Sequence, residues 1–323
     1  MPGMNLGVDL GTSKITAFAE GQGVVYTQAN AICFDSQTHQ PVAVGDRAME
    51  MAERTPAAYY VQRPMADGVI SDFTVMRYIF ADLIESVCRR QIFRPNLIIT
   101  APSGITQLQK RTILDVACAC GAAKVCLLDH AVASALGSGI PIDKPHGVLL
   151  LDIGAGTADI AVITMGDVAF TTACRIAGDA ADDMLKRYYV RERFVEFGSS
   201  TIRQIKHSIG CVSPREEELE IFVGGKDHVS QMPVSTFVNS SEVCEALAPW
   251  VDQLSAAVLD VLEQTPAELY SDICTEGLHL TGGTAQLFGL DRSLEARLHL
   301  QVHVCADGAN AAAKGAGLSL RHM

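Results

Sequence analysis

The chain has 323 residues, of which 48% are apolar and 19% charged, and its formal net charge is −12. That length exceeds one small core, so two lobes are expected, with the residue balance of a globular α/β protein rather than a disordered one. The acidic charge argues against a nucleic-acid surface, which needs clustered Lys and Arg, and no run reaches the ~18 uninterrupted apolar residues of a spanning helix.

Taken in chain order, Leu6–Leu10 reads as a strand, followed by a tight Gly-Thr-Ser turn and a second strand, Ile15–Ala19. "GQG" at 21–23 reads as a hairpin turn and "VVYTQANAICF" as a third strand. Residues 35–72, with Pro41, Pro56 and Pro64, read as a small insertion. Val75, Ile79, Phe80, Leu83, Ile84 and Val87 recur at helical spacing, which predicts an amphipathic helix over 74–91. A buried strand at 96–102, a helix at 106–120, a short strand at 125–128 and a helix at 131–137 complete the first half.

The second half opens with a strand at 147–151. A helix follows at 178–189, then a charged stretch, 190–243, that reads as a second insertion. A long helix over 242–263, a strand into a glycine turn at 277–283 and a C-terminal helix over 310–320 close the chain. The ten cysteines are scattered, with Cys118 and Cys120 in a C-x-C and no C-x-x-C anywhere. This fits neither a zinc ribbon nor a disulfide framework, and reads as free thiols in a reducing compartment. Nothing N-terminal reads as a secretory signal, so a soluble, cytosolic chain is expected.

The two halves share one peculiarity. "NLGVDLGTSKITAF" ends a strand on Asp9 and follows it with Gly11 and Thr12; "LLDIGAGTADIAVI" does the same with Asp152, Gly154, Gly156 and Thr157. The spacing of about 140 residues is too long for a solenoid and reads as an internal duplication into two similar lobes. Glycines after a strand let backbone N–H groups converge on a phosphate, and Thr12 and Thr157 add hydroxyls. Carboxylates would repel phosphate unless a divalent cation, coordinated mostly through water, sits between them. Two such turns, with "LTGGTAQL" at 280–287 and "AAAKGAG" at 311–317, point to a nucleotide triphosphate rather than to two ordinary hairpins.

"VDLGTSK", "LLDIGAGTAD" and "LTGGTAQLFGL" resemble the phosphate and adenosine motifs of the actin, sugar kinase and heat-shock chaperone ATPase superfamily. "AVGDRAMEMAERTP…VQRPMADGVISDF", "APSGIT" and "CRIAGDAADDML" are similar to the MreB group of bacterial actins, over essentially the whole chain. The resemblance implies an actin-like ATPase fold: two duplicated lobes, each a mixed sheet flanked by helices with a small inserted subdomain. Lobe I would span 1–34 and 73–150 with its insertion at 35–72; lobe II would span 151–180 and 244–323 with its insertion at 181–243.

It further implies ATP and Mg²⁺ in the cleft between lobes. Asp9 would hold metal-bound waters, with Gly11, Thr12, Ser13 and Lys14 at the β-phosphate. Asp152 would orient metal-bound or attacking water, with Gly154, Ala155, Gly156 and Thr157 around the γ-phosphate. Gly282 and Gly283 would pass beside the ribose and adenine, Lys206 would flank the base, Arg203 would lie near the ribose, and Gly178 and Thr284 would also belong to the nucleotide site. Several positions depart from the MreB pattern, among them Asp129 and Ala131 in the family's Glu-Glu-Pro run and Gln204 at an acidic position. His130 stands where a glutamate positions the attacking water, and loss of a water-orienting group costs about 10²–10⁴-fold in rate. Ala155 replaces a glycine, a strain if its φ is positive; Arg203 replaces an acidic residue and Thr284 a glycine. Slow hydrolysis is therefore expected.

Ile92 and Phe93, flanked by Arg89, Arg90 and Arg94, match a loop that in MreB relatives inserts into membrane, although local core packing would also explain them. The resemblance implies head-to-tail filaments at the inner face of the cell membrane, working with membrane-embedded cell-wall synthesis proteins to set cell shape. A nucleotide-binding scaffold with little hydrolysis and a monomeric chaperone-type ATPase are the alternatives.

Overall fold

The computed structural model describes residues 4–55, 57–66, 68–89 and 93–319. It divides into two compact units: residues 1–146, 163–171 and 306–323 in the first, and 147–162 and 172–305 in the second.

In the first unit, β1 (Asn5–Leu10), β2 (Lys14–Ala19) and β3 (Gly23–Ala29) form an antiparallel meander. The run read as one third strand is in fact two. It breaks after Ala29, and β4 (Ile32–Asp35) joins a separate small sheet with β5 (Pro41–Val44) and β6 (Tyr59–Gln62), beside α1 (Asp46–Arg54). The cause is Asn30, fully buried, whose polar groups turn back to the 11–13 loop instead of continuing a ladder. A two-stranded piece, β7 (Met65–Ala66) and β8 (Val69–Ile70), leads into α2 (Phe73–Cys88), which Asp72 caps by accepting from Val75 N.

Then come β9 (Asn96–Ala101), α3 (Gln107–Ala119), β10 (Lys124–Asp129) and α4 (His130–Ser138). Thr106 and Gln109 form a reciprocal capping box at α3, which is why that helix starts where it does. The sheet order is β10-β9-β1-β2-β3, with β1, β9 and β10 parallel. Side chains alternate across β1. Leu6, Val8 and Leu10 join a core with Met76, Ile79, Phe80 and Leu83 of α2 and Ile113 and Val116 of α3. Gly7 and Asp9 face the other way.

That other face is closed by the C-terminal helix, Ala311–Ser319 (labelled α10 below). A Cβ on Gly7 would lie 2.1 Å from Gly317 N, so the helix rests directly on the strand backbone. Gly315 and Gly137 bring the same helix equally close to α4; an added Cβ at either would come within 1.8 Å of a backbone carbonyl of the other helix. Residues 306–323 thus count with the first unit, not with the 244–323 stretch of the sequence division, and the glycines of 311–317 serve helix packing.

The second unit repeats the plan. β11 (Val148–Ile153), β12 (Ala158–Thr164) and β13 (Asp167–Cys174) are followed by α5 (Gly178–Arg193), β14 (Val195–Glu196), α6 (Ser199–Ile209), β15 (Glu220–Asp227) and β16 (Pro233–Asn239). The tip of the β12–β13 hairpin, 163–171, counts with the first unit. α7 (Ser240–Gln264), α8 (Ala267–Glu276), β17 (Leu278–Thr281), α9 (Leu290–Leu298) and β18 (Val302–Val304) complete it, with α10 after them.

The main sheet runs β13-β12-β11-β17-β18, with β11, β17 and β18 parallel. Strand for strand this is the order of the first sheet, so the duplication inferred from two motifs extends to whole sheets. The charged stretch folds as α6 and a three-stranded antiparallel sheet, β14-β15-β16. In α7, Val243, Leu247, Trp250, Val251, Leu254 and Val258 are buried on one stripe, and Pro249 lies on the exposed side of the same helix. The Trp250 indole N–H donates to Ala177 O at 3.1 Å. All ten cysteines are free thiols.

Candidate functional site

The first cluster of candidate residues lies where β1 ends. Asp9 is 9% exposed, and its Oδ1 accepts from Thr100 Oγ1 at 2.7 Å and lies 3.4 Å from His130 Nδ1. Thr100 comes from β9 and shares the Asp9 face by strand alternation; His130 is the first residue of α4, placed there because Asp129 caps the helix through Ala131 N at 2.9 Å. Ser103 in turn donates to the other Asp129 oxygen. Burial pushes the Asp9 carboxyl up, but the bonds from His130 and Thr100 and the nearby Lys14 charge outweigh it and hold the group below the ordinary carboxylate range. Asp9 is thus kept as a buried anion.

The turn after Asp9 is organised by Asn30. Its Nδ2 donates to Gly11 O at 2.8 Å and its backbone N to Ser13 O at 2.8 Å. A peptide unit is planar and trans, so a carbonyl drawn backward sends the next N–H forward. Thr12 N–H therefore points away from Asn30. A Cβ at Gly11 would meet Lys14 O at 2.8 Å, which is the reason for glycine there.

The second cluster, in the other unit, is built likewise. Asp152 is the next-to-last residue of β11 and is 5% exposed, and a Cβ on Gly282, whose φ is +94°, would lie 2.6 Å from its Oδ1. Gly154 O accepts from Gly178 N at 3.1 Å and from Thr284 Oγ1 at 2.8 Å; Ala155 O accepts from Asp179 N at 2.7 Å. The loop thereby caps α5 with main-chain carbonyls in place of a side chain. By the planarity argument, the N–H groups of Ala155 and Gly156 face the opposite way, two successive amides in the arrangement that can receive an anion. Gly154 N itself is spent on Thr157 O at 2.9 Å, and Thr157 Oγ1 lies 3.5 Å from Asp159 Oδ2.

Ala155 is not among the non-glycine residues at positive φ, so the strain expected of that substitution does not arise. Lys206, on α6, donates to Gly178 O at 2.9 Å and pairs with Asp182 Oδ1 at 2.6 Å, both side chains 10% exposed. Arg203 lies one turn earlier on the same helix, half-buried. Gly283 is exposed and opens the short helical turn Thr284–Gln286. The structure thus joins Asp9 with His130 in one unit, and Asp152, Gly154, Gly178, Lys206, Gly282 and Thr284 in the other.

Sequence reasoning missed Asn30, Thr100 and Asp182. Asn30 carried a signal, a strand-poor residue inside a β-branched and aromatic run; Thr100 and Asp182 carried none. Ile92 lies outside the described residues. Phe93 is 52% exposed, between exposed Arg89 and Arg94. No described helix is long and apolar enough to cross a membrane.

The sequence matches the family described as MreB/Mbl protein over residues 3–323. The chain belongs to the MreB/Mbl family. It is 36% identical over 320 residues to the cell shape-determining protein Mbl of Bacillus subtilis, covering 99% of this chain and 96% of that one. It is 35% identical over 322 residues to the cell shape-determining protein MreB of Escherichia coli, covering 98% and 93%. Among solved structures, MreB5 of Spiroplasma citri bound to ADP superposes with a TM-score of 0.94 at 28% identity, covering 99% and 97%. The MamK double helical filament superposes at 0.83 with 18% identity, covering 99% of each chain. This family member has the actin-like fold.

Proposed function

We propose that this MreB/Mbl family protein binds ATP with Mg²⁺ through its two hairpin half-sites, hydrolyses it slowly, and polymerises head to tail into filaments. These lie against the inner face of the cell membrane and direct cell shape and wall synthesis. The observation that carries the reading is the shared construction of the two loops: each follows a buried carboxylate, with carbonyls drawn back and amides turned outward. Support comes from relatives named as cell shape-determining proteins and from MreB5 structures with ADP and with AMPPNP.

The donor chemistry fits magnesium: Asp9 and Asp152 offer hard oxygens, and Asp9 is held ionised. No group of three or more metal-ligating side chains occurs among the described residues, so water and phosphate oxygens would complete the shell. The cation would neutralise phosphate charge. Asp9, steered by Thr100 and His130, would help to hold the cation; Asp152 would orient water at the terminal phosphate, and the Ala155 and Gly156 amides would hold its oxygens. Phe93 and the flanking arginines supply a weak lipid contact that filament multivalency amplifies.

Calorimetry with ATP and Mg²⁺, followed by sedimentation at micromolar protein, tests this. Saturable binding lost in Asp152→Asn, with nucleotide-dependent pelleting, is the expected result. Absence of binding by folded protein overturns the nucleotide reading, and binding without any sedimentable polymer overturns the filament.

A further inference from the structure

Thr284 ties together distant parts of the second unit. Its hydroxyl, at the head of the turn after β17, reaches the carbonyl of Gly154 in a loop 130 residues earlier. That carbonyl has two lone pairs, and the second is taken by Gly178 N at 3.1 Å. The contact also needs Gly178 to be glycine, since a Cβ there would lie 2.7 Å from Thr284 Oγ1. Three separate chain segments thus meet at one oxygen atom.

The consequence follows from peptide geometry. Gly154 C=O and Ala155 N–H belong to one planar trans unit, so whatever holds the oxygen aims the hydrogen. With two donors on the oxygen, rotation of the unit breaks two hydrogen bonds; with the hydroxyl removed, it breaks one. An amide pre-aimed at an anion costs no reorganisation when the anion arrives.

We propose that Thr284 is a positioning residue whose hydroxyl locks the 154–155 peptide with its N–H toward the terminal phosphate, so that it sets affinity for phosphate rather than for the base. The inference rests on the nucleotide reading above. It assigns the tail of the adenosine-like motif a task at the opposite end of the ligand.

The test compares wild type, Thr284→Val (same shape, no hydroxyl) and Thr284→Ser (hydroxyl kept) by calorimetry with Mg²⁺ and AMPPNP, ADP or adenosine. The expected result is a loss of about tenfold for AMPPNP in the valine variant, a smaller loss for ADP and none for adenosine, with serine restoring wild-type affinities. Equal losses for all three ligands, or a serine variant as weak as valine, would overturn the proposal, because either would mean a general packing role. Wild-type protein that binds none of the three would overturn the nucleotide reading itself. Thermal midpoints of each variant identify any that fail to fold.

Discussion

His130 Nδ1 lies 3.4 Å from Asp9 Oδ1, so the residue standing at the expected water-positioning place is partnered to the carboxylate proposed for magnesium. This makes Asp9 pH-sensitive in a defined direction. Its folded pKa is depressed, so its contribution to stability is complete above the ordinary carboxylate value of about 3.9 and is lost as pH falls through the lower, folded value. His130→Ala removes a group that opposes the upward push of burial. The acid-unfolding midpoint should move to higher pH, as circular dichroism across an acid titration would show; an unchanged midpoint would mean that the pair is not coupled.

The junction of α10 with α4 is intolerant of volume. Gly315→Ala places a methyl about where Ala133 O already sits, 1.8 Å from it. Backbone on both sides leaves no flexible side chain to yield, so the expected cost is at the upper end of overpacking, about 3 kcal/mol. Urea unfolding measures it.

Lys206 and Asp182 form a buried pair that also holds Gly178 O. Replacing Asp182 by Asn leaves the ammonium uncompensated and should cost about 3 kcal/mol, whereas a double replacement by apolar residues of matching volume should recover much of it. A double-mutant cycle in denaturant decides. Additive single and double costs would show that the charges do not interact.

Ala155→Gly is expected to gain nothing. Because Ala155 is not in the left-handed region, glycine there only adds unfolded-state freedom, costing about 0.5–1 kcal/mol. A stabilised variant in thermal melts would mean that the methyl is strained after all.

What the sequence disclosed, and what it withheld, divides along physical lines. Motifs built from local chain geometry were legible: a strand ending in aspartate, a glycine turn, a strand returning. So were amphipathic helices such as α2, whose buried Val75, Met76, Ile79, Phe80 and Leu83 follow helical spacing. Contacts between distant segments were not. Nothing local to Asn30 says that it will bond Gly11, and nothing local to 311–317 says that its glycines face α4 and β1 instead of a ligand. The β14-β15-β16 sheet was not legible because its strands bury little, with Val195, Val223 and Val238 alone buried in them.

The chain has one tryptophan, fully buried, with its indole N–H on the carbonyl of Ala177, immediately before the residue that receives the 154–155 loop. Ultraviolet emission excited at the red edge therefore originates wholly from the second unit, at one peptide's remove from the proposed phosphate contact. A ligand titration and an unfolding curve can be followed there without any added dye, while the first unit stays spectroscopically dark.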